Sequence, residues 1–159
     1  FKDARRLGSV EVFDSGELDD YAPLQRMGPE PHGLDGPALA ERLPPRRRLK
    51  AALLDQSVIA GVGNIAISEV FWRLKLPVDI KAGELDTAQV SALAAMLPVY
   101  FDELLEEEMD DEVIYLGEGS AVNPFDVYGR EGLRCPRCGT TIDRVVVGGR
   151  SSYFCPGCQ

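Results

Sequence analysis

Residues 135–158 read CPRCGTTIDRVVVGGRSSYFCPGC, and this stretch decides how the C-terminal part of the chain folds. Two Cys-x-x-Cys pairs stand sixteen residues apart, and each pair can present two thiolates to one tetrahedral Zn²⁺ ion. Two disulfides or a dithiol redox pair are the alternatives, and neither accounts for two matched knuckles. We therefore predict one structural zinc ion, held by Cys135, Cys138, Cys155 and Cys158.

The segment between the two cysteine pairs has the pattern of a β-hairpin. Three valines at 145–147 favour a strand, and the two glycines at 148–149 favour a tight turn. This turn places Arg150 at the hairpin tip, where a guanidinium can reach a phosphate or a base edge. A solvated turn residue is the alternative interpretation of Arg150.

Before the zinc motif, apolar residues recur at helical spacing in four segments. These segments begin near Leu39, Leu49, Asn64 and Asp86 or Thr87. The third follows Gly61-Val62-Gly63, and we expect Asn64 to be its N-cap. Glycines and the unpaired N–H groups of a helix start can also bind a phosphate, so a simple turn with a cap and an anion site are both open.

These patterns predict a mainly α fold followed by a small β-hairpin zinc finger. Residues 1–13 resemble a short strand, and 14–36 are rich in Gly, Pro and Asp, which is typical of a linker. The predicted helical domain covers 37–116, and the predicted zinc-finger domain covers 117–159. The chain begins Phe1-Lys2-Asp3, which suggests a cut or processed chain.

Charge and hydropathy restrict the classes of function. A net charge of −9 argues against a nucleic-acid binder, but residues 127–159 contain five arginines against Glu131 and Asp143. No apolar run reaches the roughly 20 residues of a membrane helix, and no export signal opens the chain. We expect a monomer in the cytoplasm with no membrane partner.

Six motifs in chain order resemble the formamidopyrimidine-DNA glycosylase and endonuclease VIII family. They are Asp3-Ala4-Arg5-Arg6-Leu7-Gly8, Gly28-Pro29-Glu30-Pro31, Leu49-Lys50 with Leu53-Leu54-Asp55-Gln56, Gly61-Val62-Gly63-Asn64-Ile65, Val127-Tyr128-Gly129-Arg130 and the terminal Cys-Pro-Gly-Cys-Gln. The resemblance covers nearly the whole chain. It implies that 37–116 is a helix-two-turn-helix DNA-binding domain, and that 1–13 is the last strand of an N-terminal catalytic β-sandwich whose remainder is missing from this chain.

The resemblance also implies roles for individual residues. The implied DNA contacts are Lys50, Gly63, Asn64, Tyr128 and Arg150, with Asn64 and Arg150 on the phosphates that flank a flipped-out nucleotide. Arg5 corresponds to the residue that faces the orphaned base. Leu7 stands where the family usually has phenylalanine, and its implied role is that of a wedge in the base stack.

The implied function is damaged-DNA binding in base excision repair, within a DNA glycosylase and abasic-site lyase that removes oxidised bases. The partner is duplex DNA with a damaged base or abasic site, and the location is nucleoid-associated. The family's nucleophile is an N-terminal proline amine followed by an acidic residue, and neither occurs at Phe1-Lys2. We therefore predict no catalytic residue in this chain, which alone binds without cutting. A stand-alone non-catalytic DNA-binding module and a zinc-ribbon protein-interaction module are the alternatives.

Overall fold

The computed structural model describes residues 10–14, 16–110 and 123–159. Over these ranges the chain forms α-helices and one two-stranded antiparallel sheet: α1 (Ala22–Gln25), α2 (Gly36–Arg42), α3 (Leu49–Leu53), α4 (Asn64–Leu74), α5 (Thr87–Asp110), β1 (Asp143–Val147) and β2 (Arg150–Phe154). Short 3-10 helices lie at Glu17–Asp20, Pro31–Gly33 and Ala82–Glu84. The predicted class, mainly helical with a C-terminal hairpin, is confirmed.

The helical core forms where α2 and α4 pack against α5. The spacing that predicted the helices also brings their leucines and aromatic residues to the inside. Among the most deeply buried side chains are Leu39, Leu49, Leu53, Ile67, Phe71, Leu93 and Leu97. Burying a side chain of this size contributes about 1.5–3 kcal/mol, so the amphipathic faces hold the helices together.

The longest helix, α5, begins at a reciprocal cap. The Asp86 carboxylate accepts a hydrogen bond from the Gln89 N–H at 2.7 Å, and the Gln89 side-chain oxygen accepts one from the Asp86 N–H at 3.0 Å. The predicted start at Asp86 or Thr87 is therefore confirmed. Neither α5 nor any other helix of the described ranges is long and apolar enough to cross a membrane.

A two-turn segment joins α3 to α4, and the side chain of Gln56 organises it. Its oxygen accepts a hydrogen bond from the Gly61 N–H at 2.8 Å, and its nitrogen donates to the Val62 carbonyl at 3.1 Å. These two bonds satisfy backbone groups that have no helical partner, because the chain is turning there. The start of α4 is thereby held in a defined position relative to α3.

The second half of the segment expected to be a linker packs onto the helical core. The Gly28 N–H donates to the Gln56 carbonyl at 2.7 Å, and Pro29 accepts from the Ala60 N–H at 3.0 Å. Pro31 and Leu34 are buried. The Gly, Pro and Asp composition is typical of a linker, but such a segment can still be bound tightly when neighbouring turns supply its hydrogen bonds.

The strand expected at 1–13 stays a prediction. Its first nine residues, including Arg5 and Leu7, lie outside the described residues. Residues 10–14 pair with no strand in the part of the chain that the structure describes, and Val10 and Val12 are exposed. The predicted boundary between the two domains, at 116–117, also lies outside the described residues.

The hairpin of β1 and β2 packs against α4 through a second, smaller core. Val147 pairs with Arg150 at the turn and Asp143 with Phe154 at the open end. The buried residues of this core are Trp72 from α4 together with Val127, Cys135, Ile142 and Cys155. One helix, α4, therefore contributes to both cores, and it fixes the hairpin relative to the other helices.

Candidate nucleic-acid interface and metal centre

The four cysteines form one cluster. Their Sγ atoms all lie within 4.8 Å of one another, with 3.9 Å between Cys135 and Cys158 and 3.4 Å between Cys138 and Cys155. A tetrahedral zinc ion with bonds of about 2.3 Å to sulfur separates its ligands by about 3.8 Å. A disulfide requires about 2.05 Å. The donor set therefore fits one structural zinc ion, as predicted, and all four thiols are free of disulfides.

The backbone around the cysteines prepares this arrangement. The backbone carbonyl of Cys135 accepts a hydrogen bond from the Gly139 N–H at 2.9 Å, and the backbone carbonyl of Cys155 accepts one from the Cys158 N–H at 3.0 Å. Hydrogen bonds from Thr140 lower the pKa of the Cys138 thiol to about 6. Cys138 thus favours the thiolate form that binds metal, and four protein ligands leave no position for a reacting water.

The hairpin turn brings Arg150 to the surface beside the start of α4. Gly148 and Gly149 have φ values of 60° and 75°, which are the left-handed conformations of a type I′ hairpin turn. A Cβ added to Gly148 would lie 3.1 Å from the Cβ of Ala51, so the turn rests directly on α3. Arg150 follows the turn and is exposed, as the sequence predicted.

Lys50 and Asn64 meet at the carbonyl oxygen of Ser151, the residue after Arg150. The Lys50 ammonium donates to this oxygen at 3.1 Å and the Asn64 amide donates at 3.0 Å. Three of the residues implied as DNA contacts are therefore brought together. Lys50 is only 1% exposed, however, and lies beneath the hairpin tip. Burial, and then the charge of Arg150, lower the pKa of Lys50 to about 8.

The prediction that Asn64 is the N-cap of α4 is wrong. The cap is Gly63, and no side chain caps the helix. Asn64 is the first helical residue, and its side chain turns to Ser151 because the docked hairpin offers a carbonyl there. An amide nitrogen carries two protons and only one of them is used in this bond, so the second remains available to a ligand.

Gly63 and Tyr128 lie in different surroundings. Gly63 is exposed, and a Cβ added to it would meet no atom within 4 Å, so a ligand can approach the start of α4. Tyr128 is half-buried, and its ring packs edge-on against Tyr153 of β2 with centroids 5.0 Å apart. These contacts give Tyr128 a packing role, and its implied contact with DNA stays a prediction.

Glu69 binds the backbone of the segment that leads into the zinc finger, and the sequence patterns did not single this residue out. This residue of α4 is 1% exposed and accepts backbone N–H bonds from Asp126, Val127 and Tyr128 at 2.8–3.0 Å. Burial raises the pKa of Glu69, and the three donors partly offset that rise. A signal was available, because the helical period places position 69 among the buried apolar residues of α4.

Comparison with known proteins agrees with this architecture. Residues 27–111 match the model of the formamidopyrimidine-DNA glycosylase H2TH domain, and residues 132–159 match the model of the zinc finger found in FPG and IleRS. Formamidopyrimidine-DNA glycosylase from Cereibacter sphaeroides (strain ATCC 17029 / ATH 2.4.9) is 39% identical over 173 residues, which cover 100% of this chain and 59% of the relative. The same enzyme from Gluconobacter oxydans is 37% identical, with 99% and 60% covered.

Two solved structures are also similar. MutM in complex with DNA containing carbocyclic 8-oxo-G superposes with a TM-score of 0.81 at 30% identity, over 99% of this chain and 60% of that one. Lactococcus lactis formamidopyrimidine-DNA glycosylase bound non-covalently to DNA with an AP site gives a TM-score of 0.73 at 28% identity, over 89% and 54%. The chain therefore spans about three fifths of the length of the relatives that it matches.

Proposed function

The chain belongs to the formamidopyrimidine-DNA glycosylase family, and we propose that it binds damaged duplex DNA as the C-terminal part of a base-excision-repair glycosylase. Its relatives were solved in complex with DNA carrying an oxidised base or an abasic site. These lesions define the class of DNA that we propose as its partner, with the nucleoid as its place of action. A zinc ion held by the four clustered cysteines would have a structural role, because the protein would supply all four ligands.

The observation that carries the proposal is the shared carbonyl of Ser151. Two donors from different helices, Lys50 and Asn64, hold this one oxygen, and Arg150 stands exposed next to it. A hairpin tip on a flexible arm would lose entropy on binding a phosphate, whereas a tip held from below is already ordered. The arrangement therefore supports a preorganised phosphate clamp at the junction of the two cores.

Local charge makes this clamp compatible with an acidic chain. The guanidinium of Arg150 lies close enough to disfavour the charged form of Lys50, which is part of why the pKa of Lys50 falls. Two neighbouring cations without an anion between them are unfavourable, and a phosphate at this point would relieve their repulsion. The net charge of −9 resides elsewhere, so it slows non-specific association without preventing binding at this point.

Base excision and abasic-site cleavage are proposed for the whole protein to which these residues belong. The cysteines are committed to a metal site, and Lys50 is buried beneath the hairpin. We assign no catalytic residue within the described ranges. The chain by itself is expected to bind abasic DNA without forming the Schiff base that borohydride traps, and a trapped covalent adduct would contradict this assignment.

The proposal is tested by fluorescence anisotropy with the zinc-loaded chain. One duplex carries a tetrahydrofuran abasic analogue, and a second of identical sequence carries no lesion. Arg150→Ala should weaken binding by about tenfold or more, as expected for a charge-assisted hydrogen bond. It should also flatten the slope of log affinity against log salt concentration by about 0.9, the value for one phosphate contact. Asn64→Ala should weaken binding and leave the salt slope unchanged, because the amide is neutral.

Arg134→Ala is the matched control. Arg134 is also an exposed arginine of the zinc finger, but it donates to the Gly139 carbonyl beside the first cysteine pair. It should bind DNA like the wild type apart from a small general loss of charge. Equal effects of the Arg134 and Arg150 variants, or no preference of the wild type for the abasic duplex, would refute the clamp. No binding at any salt concentration would instead favour a zinc-ribbon module that contacts protein.

A further inference from the structure

The one tryptophan of the chain, Trp72, lies between α4 and the first pair of cysteines. Its indole is 7% exposed, and its N–H points at the sulfur of Cys135, with 3.4 Å between Nε1 and Sγ. Cys135 is itself only 3% exposed. A buried thiolate without a hydrogen-bond donor is costly, so an N–H aimed at this sulfur has a specific electrostatic consequence.

The first Cys-x-x-Cys turn also contacts the face of the Trp72 indole. The guanidinium of Arg137, which lies between the two cysteines of the first pair, stacks over the Trp72 ring at 3.9 Å from its centroid. Its Nη1 donates to the Trp72 carbonyl at 2.9 Å. The second Cys-x-x-Cys turn is bound to the segment that follows α4. The side-chain oxygen of Gln159 accepts from the Cys155 N–H at 2.9 Å, and its side-chain nitrogen donates to the Leu76 carbonyl at 3.0 Å.

We propose that Trp72 is a positioning residue of the zinc site, which donates its indole N–H to the zinc-bound thiolate of Cys135. Donors to metal-bound thiolates lower the electron density on sulfur and fix the orientation of the ligand. Because Trp72 belongs to α4, this bond joins the metal site to the helix that carries Asn64. The two residues are eight positions apart, about 12 Å along the helix axis. The inference rests on zinc binding by the cysteines and does not depend on DNA binding.

The first test is the affinity for zinc of Trp72→Phe, which keeps an aromatic ring and removes the N–H. The variant should bind zinc about tenfold more weakly in competition with a chromogenic chelator, at the lower end of the effect of losing a metal ligand's hydrogen-bond partner. Phe71→Leu is the matched control, because Phe71 is the preceding residue of α4 and is buried in the helical core. It should leave the affinity for zinc within twofold of the wild type.

A spectroscopic readout separates hydrogen bonding from packing. With Co²⁺ in place of zinc, the sulfur-to-cobalt charge-transfer band of Trp72→Phe should move to longer wavelength, because an unbonded thiolate is more electron-rich. Phe71→Leu should leave the band in place. A wild-type band position and zinc affinity in Trp72→Phe, or equal changes in both variants, would overturn the proposal.

A measurement on the wild type covers the case in which Trp72→Phe does not fold. The protein has one indole N–H resonance, and with ¹¹³Cd bound this resonance should show scalar coupling to the metal through the hydrogen bond to sulfur. An indole proton that lacks this coupling and exchanges quickly with solvent would overturn the proposal. Failure of the wild type to bind zinc, cobalt or cadmium would refute the metal site and the proposal with it.

Discussion

Replacing Lys50 with methionine is expected to stabilise the folded protein at neutral pH and to weaken its binding to DNA. Lys50 is 1% exposed, and its pKa falls from 10.5 to about 8. The folded state therefore disfavours the ammonium by about 3 kcal/mol at pH 7. Methionine removes that cost and has a similar length. It also removes one hydrogen bond to the Ser151 carbonyl, worth about 2 kcal/mol for a charged donor.

The Ser151 carbonyl keeps a partner in this variant, because Asn64 still donates to it at 3.0 Å. The Ser151 carbonyl is therefore not left unsatisfied, and the net gain should be about 1 kcal/mol. For a chain of this size that gain raises the thermal midpoint by about 3 °C. DNA affinity should fall in the same variant, because a positive charge beside Arg150 is lost. We therefore expect Lys50 to lower the stability of the fold while it supports phosphate binding.

The pH dependence of stability tests independently whether the buried Lys50 ammonium destabilises the folded protein. Between pH 8 and pH 10.5 an unfolded Lys50 holds its proton, whereas the folded protein has lost it. The unfolded state then binds more protons, so the unfolding free energy of the wild type should rise with pH across this window. Lys50→Met lacks this rise, so its advantage of about 1 kcal/mol at pH 7 should vanish near pH ~9 and reverse as the pH approaches 10.5.

Urea unfolding of the zinc-loaded proteins at pH 7, 8, 9 and 10 measures both effects. Arg46→Met is the matched control, because it removes one positive charge from an exposed side chain. It should change stability by less than about 0.5 kcal/mol at every pH. The reasoning is refuted if Lys50→Met is less stable than the wild type at pH 7 by more than 1 kcal/mol. A constant difference between the two proteins from pH 7 to pH 10 refutes it equally.

Three further predictions concern the packing around the site, and each is tested by urea unfolding. Gly28→Ala should lower the free energy of unfolding by more than about 2 kcal/mol, because its Cβ would lie 2.7 Å from the Val58 backbone. A smaller loss would show that the Val58 backbone can shift to accommodate the added Cβ. Gly148→Ala should destabilise more than Gly149→Ala, because both have positive φ but only Gly148 faces a neighbour; equal losses would contradict the docked turn. Burial raises the pKa of Glu69, so the unfolding free energy of the wild type should fall relative to Glu69→Gln as pH rises above 4.5, and parallel curves would contradict this.

The zinc site could be predicted from the sequence because its geometry is local. Each Cys-x-x-Cys turn brings two thiolates together within four residues, and the hairpin between the pairs has its own turn signal at Gly148-Gly149. The structure needed only to bring the two turns face to face. The helices were predictable for a similar reason, because the apolar spacing that buries one face of a helix lies within the sequence of that helix.

The position of Asn64 shows where local reasoning fails. An asparagine that follows glycine at the start of a helical pattern is typical of an N-cap. The same sequence also fits an asparagine at the first helical position, one residue later. The difference comes from Ser151, which lies 87 residues further along the chain and supplies the carbonyl that the amide binds. No pattern within one helix contains that information.

The sequence by itself determined the class of fold, the metal and its ligands, and the order of the motifs that resemble the glycosylase family. Only the tertiary structure decided that Lys50 is buried under the hairpin, that Glu69 holds three backbone N–H groups, and that Trp72 faces Cys135. The physical reason is the range of the interactions. Periodicity and turns depend on neighbours within a few residues, whereas a buried charge or polar group depends on a partner 57 to 101 residues away.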